Sequence, residues 1–221
     1  MTEPGTTMET PAFSLREEDF VTLLVGPNEH KFVVHECCIA RNSDFFKAAL
    51  KKERAEGQER IVKLPEESCV ESFAKYLNFA YREKLPTESI KLRADESFTD
   101  NPYGELGRIY VIGERMLDKA VQNAVVREFI RLTTIRSTSH GREIPGRLCI
   151  ARIYNETTAE YPMRRMMVDF YVTPGGVGLH YKGHHPEFLE DLAEELQNKI
   201  IAQKAVRDFR GRNLVAENYF V

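Results

Sequence analysis

Three short stretches of this chain are rich in β-branched and apolar residues and are bounded by turn formers. They are FVTLLV at 20–25, KFVV at 31–34 and IVKL at 61–64. The first two flank Gly26, Pro27 and Asn28, so they read as a β-hairpin; the third is a short strand stopped by Pro65. Between them the period changes. In SDFFKAAL, Ser43 stands at an N-cap position, and Phe45, Phe46, Ala49 and Leu50 share one helical face. The preceding HECCIARN fits a short helix leading in from the strand, and the charged KKERAEGQER carries no apolar period.

Helical spacing governs most of the chain beyond Pro65. Val70, Phe73, Leu77, Ala80 and Tyr81 repeat on one side, and Ser68 and Glu71 stand at capping-box spacing ahead of them. A polar stretch, RADESFTDNPYG, predicts a loop before a helix marked by Leu106, Ile109, Tyr110, Gly113, Met116 and Leu117. A further helix begins near Asp118 and carries Val121, Val125, Phe129 and Leu132. TTIRSTSHGREIPG then reads as a linker. Beyond it, Met163, Met166, Met167, Phe170 and Tyr171 outline a helix with Pro162 in its first turn, which places Arg164 and Arg165 on a solvated outer side. After the Gly-rich TPGGVGLHYKGHH, the residues Phe188, Leu189, Leu192, Leu196 and Ile200 mark a long last helix, acidic early and basic late as the helix dipole favours. No internal repeat or heptad run is present.

Composition narrows the function classes. The 221 residues are 42% hydrophobic, enough for a real core, and 31 basic residues face 34 acidic ones, for a formal charge of −3. Without a basic excess, nucleic acid is not an expected ligand. The N-terminal MTEPGTTMETPAF lacks the basic start and apolar run of a signal peptide and reads as a mobile tail, and no stretch approaches the ~20 apolar residues of a membrane helix. Cys37, Cys38, Cys69 and Cys149 show no disulfide-framework spacing, which points to a reducing compartment, cytoplasm or nucleus.

Two clusters carry candidate chemistry. His35, Cys37 and Cys38 are metal-ligating and nucleophilic residue types, but a zinc site needs a second ligand pair and the other cysteines are single and distant. The expected arrangement is a His at a strand-to-helix corner with at least one Cys facing the core. His180, His184 and His185 are the better metal candidates on composition, although adjacent histidines point apart. TPGGVG lacks the Lys-Ser or Lys-Thr of a phosphate loop. No catalytic residue, metal or cofactor is assigned.

The order of these elements resembles the BTB/POZ domain, most closely the small fungal BTB proteins. The resemblance rests on Asp19 before FVTLLVG, on KFVVHECCIARNSDFFKAAL, IVKLPEES and FAKYLNFAYREKL, and on IYVIGERMLDKAVQNAVVREFI. It covers roughly residues 17–134. In that family a His and a Ser frame the first two helices, which correspond here to His35 and Ser43. The resemblance implies an α+β BTB/POZ fold, a small three-stranded sheet with a cluster of helices, followed by a mainly helical C-terminal extension. The expected organisation is a tail at 1–16, the BTB/POZ domain at 17–134, a linker at 135–147 and the extension at 148–221.

What the resemblance implies about function is a non-enzymatic, intracellular protein-interaction module with a protein partner or self-association. Many family members exchange an N-terminal strand on dimerising, yet the stretch before Asp19 has no strand signal. Ubiquitin-ligase adaptors of the family dock a cullin scaffold through an apolar-x-Glu motif after the second helix. The equivalent here is Arg54, Ala55, Glu56: Glu56 is retained, and Arg54 departs from the apolar anchor. A transcription-associated regulator is the remaining alternative, without a DNA-binding element of its own. Kelch repeats, a MATH domain and zinc fingers are not evident.

Overall fold

The computed structural model describes residues 19–67, 69–85, 102–134, 144–173, 183–205 and 219–220. Within them, β1 (Phe20–Val25) and β2 (His30–His35) form the expected hairpin, with Phe20 opposite His35 and Val25 opposite His30. β3 (Ile61–Leu64) lies on the other side of β1 and runs parallel to it, giving a three-stranded sheet of order β2-β1-β3. Val21, Leu23 and Val25 alternate into the core, as the period of two requires.

Two short helices come after β2. α1 (Glu36–Ile39) has His35 at its N-cap, and α2 (Asp44–Ala49) has Ser43. The Ser43 hydroxyl oxygen accepts from the Phe46 backbone N–H at 3.2 Å and donates to the Met116 carbonyl at 2.5 Å, so one side chain caps α2 and pins it to a distant corner. α3 (Ala55–Glu59) lies in the charged stretch where no apolar period predicts a helix. Its close packing centres on Gly57, where an added Cβ would stand 2.1 Å from the Lys51 carbonyl oxygen.

α4 (Val70–Arg82) buries Phe73, Tyr76, Leu77 and Phe79. Its N-cap is Cys69, without a side-chain cap, and Ser68 of the expected capping box lies outside the described residues. α5 (Pro102–Arg115) begins earlier than the polar pattern predicts: Pro102 and Gly104 are helical, with Pro in the first position where its missing N–H costs nothing. α6 (Lys119–Thr134) is capped by Asp118, whose Oδ1 accepts from the Ala120 and Val121 N–H groups at 3.0 and 3.1 Å.

The extension contributes α7 (Arg147–Glu156), α8 (Pro162–Val172) and α9 (Pro186–Ala205). The apolar pattern does not separately mark α7. This helix packs on α5: Arg115 pairs with Glu156 at 2.8 Å, the Arg152 guanidinium donates to the Gly104 carbonyl at 3.2 Å, and Gly107 leaves room for Cys149, whose Sγ would lie 3.0 Å from an added Cβ. The Met stripe of α8 is buried as predicted, and Phe170 stacks on Phe129 of α6. Sheet, α4–α6 and α7–α9 thus share one continuous hydrophobic core.

One expectation for α8 is overturned. Arg164 is only 5% exposed. Its guanidinium donates to the carbonyls of Tyr154 and Thr157 and to the Thr157 hydroxyl, pairs with Glu187 at 2.5 Å and lies over the Tyr154 ring. The orphan carbonyls at the end of α7 supply the acceptors that make this burial tolerable. Arg165, by contrast, is exposed beside the Tyr219 ring.

Candidate functional site

The stretch expected to meet a partner is α3. Arg54 sits at its N-cap with extended backbone, no capping hydrogen bond from its side chain, and an exposed side chain; Glu56 lies in the first turn and is half-buried. The two residues therefore stand on the same short element. The Gln58 side chain donates to the Lys52 carbonyl at 3.1 Å, and Arg60, in the left-handed region at φ 59°, ends the helix and pairs with Glu36 at 2.5 Å. The first contact holds α3 to the loop that precedes it, and the second ties its end to α1.

His35 occupies a strand-to-helix corner. Its backbone N–H donates to the Tyr81 hydroxyl at 2.8 Å, its Nδ1 lies 3.0 Å from the same oxygen, and its ring rests 4.5 Å from that of Phe20. Tyr81 reads in sequence as part of the apolar face of α4; the structure makes it the tie between α4 and the β2–α1 corner. Burial raises its hydroxyl pKa, against the His35 N–H bond, which lowers it. The only advance signal was its place at the end of the α4 period.

Neither of the cysteines beside His35 is fully buried. Cys37 is exposed and Cys38 half-buried, with their Sγ atoms 4.0 Å apart. Partial burial pushes the Cys38 thiol above its ordinary 9.0, and the neighbouring Cys37 adds to the shift. Cys37 borders an open cleft of ≈ 490 Å³ that Asp19, Glu36, Ala40, Arg41 and Lys47 also line. Cys149 is the buried one, its thiol pushed up to about 12 by burial.

The histidine cluster does not converge among the described residues. His185 Nε2 lies 3.1 Å from Asn155 Oδ1 and its ring tilts on Tyr154, whereas His184 packs against Tyr171 and Phe188. His180 and most of TPGGVG lie outside the described residues. Among those described, no group of three or more His, Cys, Asp or Glu is placed to hold a metal ion, and no helix is long and apolar enough to cross a membrane.

Residues 14–98 match the family model of the BTB/POZ domain. That span contains the whole sheet and α1–α4, and with them the hairpin, the His35 corner and the Ser43 cap. No curated protein matches the chain. The chain carries a BTB/POZ domain of α+β fold followed by a mostly helical C-terminal region. The BTB/POZ domain is a protein–protein interaction module.

Proposed function

We propose that this BTB/POZ-domain chain is a non-enzymatic scaffold or adaptor that binds a protein partner or a second copy of itself inside the cell. The observation that carries the reading is the match over residues 14–98, which spans an interaction module. The charge balance supports it, since an acidic excess favours protein partners over nucleic acid. A transcription-associated role would then be exercised through another DNA-binding protein. The likeness of motifs to small fungal BTB proteins adds a source for such a module but no partner.

A cullin-ligase adaptor is the more specific reading, and it turns on Arg54 and Glu56 of α3. Glu56 supports the contact and Arg54 opposes it: an apolar anchor at that position would contribute roughly 1.5–3 kcal/mol on burial, which a charged guanidinium forfeits. A loss of that size weakens binding by a factor of about ten to a hundred. Titrating the purified chain with a cullin N-terminal domain by calorimetry, beside sedimentation of the chain alone, tests both readings. Weak or absent cullin binding that strengthens in Arg54→Met fits a module outside the ligase pathway. Tight wild-type binding abolished by Glu56→Ala makes the chain a ligase adaptor. A strict monomer with no protein captured from a lysate overturns the interaction-module reading altogether.

A further inference from the structure

Cys37 and Cys38 are consecutive helical residues, so their side chains diverge by about 100° around the axis of α1. Their sulfurs nevertheless stand 4.0 Å apart. Cys37 is exposed and borders the ≈ 490 Å³ cleft, so a ligand entering there meets one sulfur at once and the other beside it. Zinc requires four donors, and only two thiols are adjacent here. That count is irrelevant to an ion that two sulfurs satisfy.

We propose that Cys37 and Cys38 form a two-sulfur site for a soft monovalent cation, copper(I). Thiolates select this ion over the harder divalent metals, which prefer nitrogen and oxygen donors. Taking the zinc–thiolate bond of about 2.3 Å as an upper scale, sulfurs this far apart subtend an angle of at least about 120° at the metal, and a linear bridge needs a separation of at most about 4.6 Å. Cys37 is exposed, which leaves its side chain room to rotate toward that separation. The cleft side of the ion stays open for water or a free thiol.

Binding converts one Cu(I) and two thiols into a dithiolate complex of net charge −1, releasing two protons to solvent. No electron is transferred and no bond within the protein breaks other than the two S–H bonds. Arg41 and Lys47 line the same cleft and stand as cations beside the anionic complex, with Asp19 and Glu36 as acidic members of the same lining. Arg41 is paired with Glu83 and Lys47 with Asp44, both at 2.8 Å on exposed surfaces, so this help is partial. The Cys69 Sγ lies 3.0 Å from the Ser72 hydroxyl, at the N-terminal end of α4.

The full, reduced chain is titrated anaerobically with Cu(I) buffered by bathocuproine disulfonate, and the bound metal is examined by X-ray absorption. The expected result is one Cu(I) per chain with sulfur neighbours. Affinity falls at least tenfold in Cys37→Ser and in Cys38→Ser, and is unchanged in Cys69→Ser. Circular dichroism of each variant verifies that the fold persists, which it should at exposed and half-buried positions. Unchanged stoichiometry and affinity in the doubly substituted chain overturn the site, as does full affinity in either single variant or equal uptake of zinc.

Discussion

Phe129 of α6 and Phe170 of α8 stack with ring centroids 6.3 Å apart at an interplanar angle of 25°. Both are fully buried, and they join α6 to the helices of the C-terminal region. Phe170→Ala should therefore destabilise the whole chain by about 3–5 kcal/mol. Chemical denaturation followed by near- and far-ultraviolet circular dichroism checks this, with both probes expected to shift together along one transition. Separate transitions would show that the two parts unfold independently.

Arg164 gives a contrast between two kinds of electrostatic contact. Its partner carboxylate, Glu187, is 55% exposed, so Glu187→Gln should cost less than about 1 kcal/mol. Arg164→Leu removes the donors for the Tyr154 and Thr157 carbonyls and should cost about 3 kcal/mol or more. Equal losses in the two variants, measured by urea denaturation, would place the stabilisation in the ion pair.

Two carboxylates should shape the acid limb of the stability curve in opposite directions. Burial raises Glu67 above its ordinary 4.5, against the Cys69 N–H bond and Arg115. The folded state thus holds that proton to higher pH than the unfolded chain, and stability from Glu67 falls as pH rises from 4.5 through the folded value. For Glu105, burial works upward, but Lys75, Ser72 and Arg108 outweigh it and hold the carboxyl below 4.5. Its stabilisation is present above 4.5 and is lost as pH falls through the folded value. Glu67→Gln should flatten the first slope and Glu105→Gln the second, in denaturation midpoints measured from about pH 3 to about pH 7.

The Tyr110 hydroxyl is buried without a hydrogen-bond partner among the described residues. Leaving such a group unsatisfied costs about 1–3 kcal/mol. Tyr110→Phe keeps the ring and removes the cost, so its melting temperature should equal or exceed that of the wild type. A fall of several degrees would reveal a partner for the hydroxyl.

Much of the fold was legible because its elements announce themselves through period and punctuation. The hairpin is signalled by Gly26, Pro27 and Asn28, α2 by Ser43 before two phenylalanines, and α8 by its Met stripe. α3 was not legible, because a helix of five residues held by a backbone contact at Gly57 carries no apolar stripe. The start of α5 was hidden by Pro102 and Gly104, residues that read as loop when their neighbours are polar. Arg164 looked solvated because helical spacing places a side chain on a face but says nothing of which neighbouring helix covers it. The same limit applies to the last helix: Phe188 and Leu192 are buried, whereas Leu196 and Ile200, on the predicted stripe, are exposed past the point where α7 and α8 cover it. The closeness of the Cys37 and Cys38 sulfurs was hidden too, because sequence adjacency alone does not fix the sulfur–sulfur distance.

The shared core has a consequence during synthesis. A chain growing from its N-terminus completes β1 to α6 before Phe170 exists. At about 5–20 residues per second, the roughly forty positions between Phe129 and Phe170 leave the faces of α5 and α6 that later meet α7 and α8 uncovered for about 2–8 s. Over that interval the nascent chain presents to its surroundings an apolar surface that the finished protein hides, and a chaperone or a neighbouring nascent copy has that long to reach it.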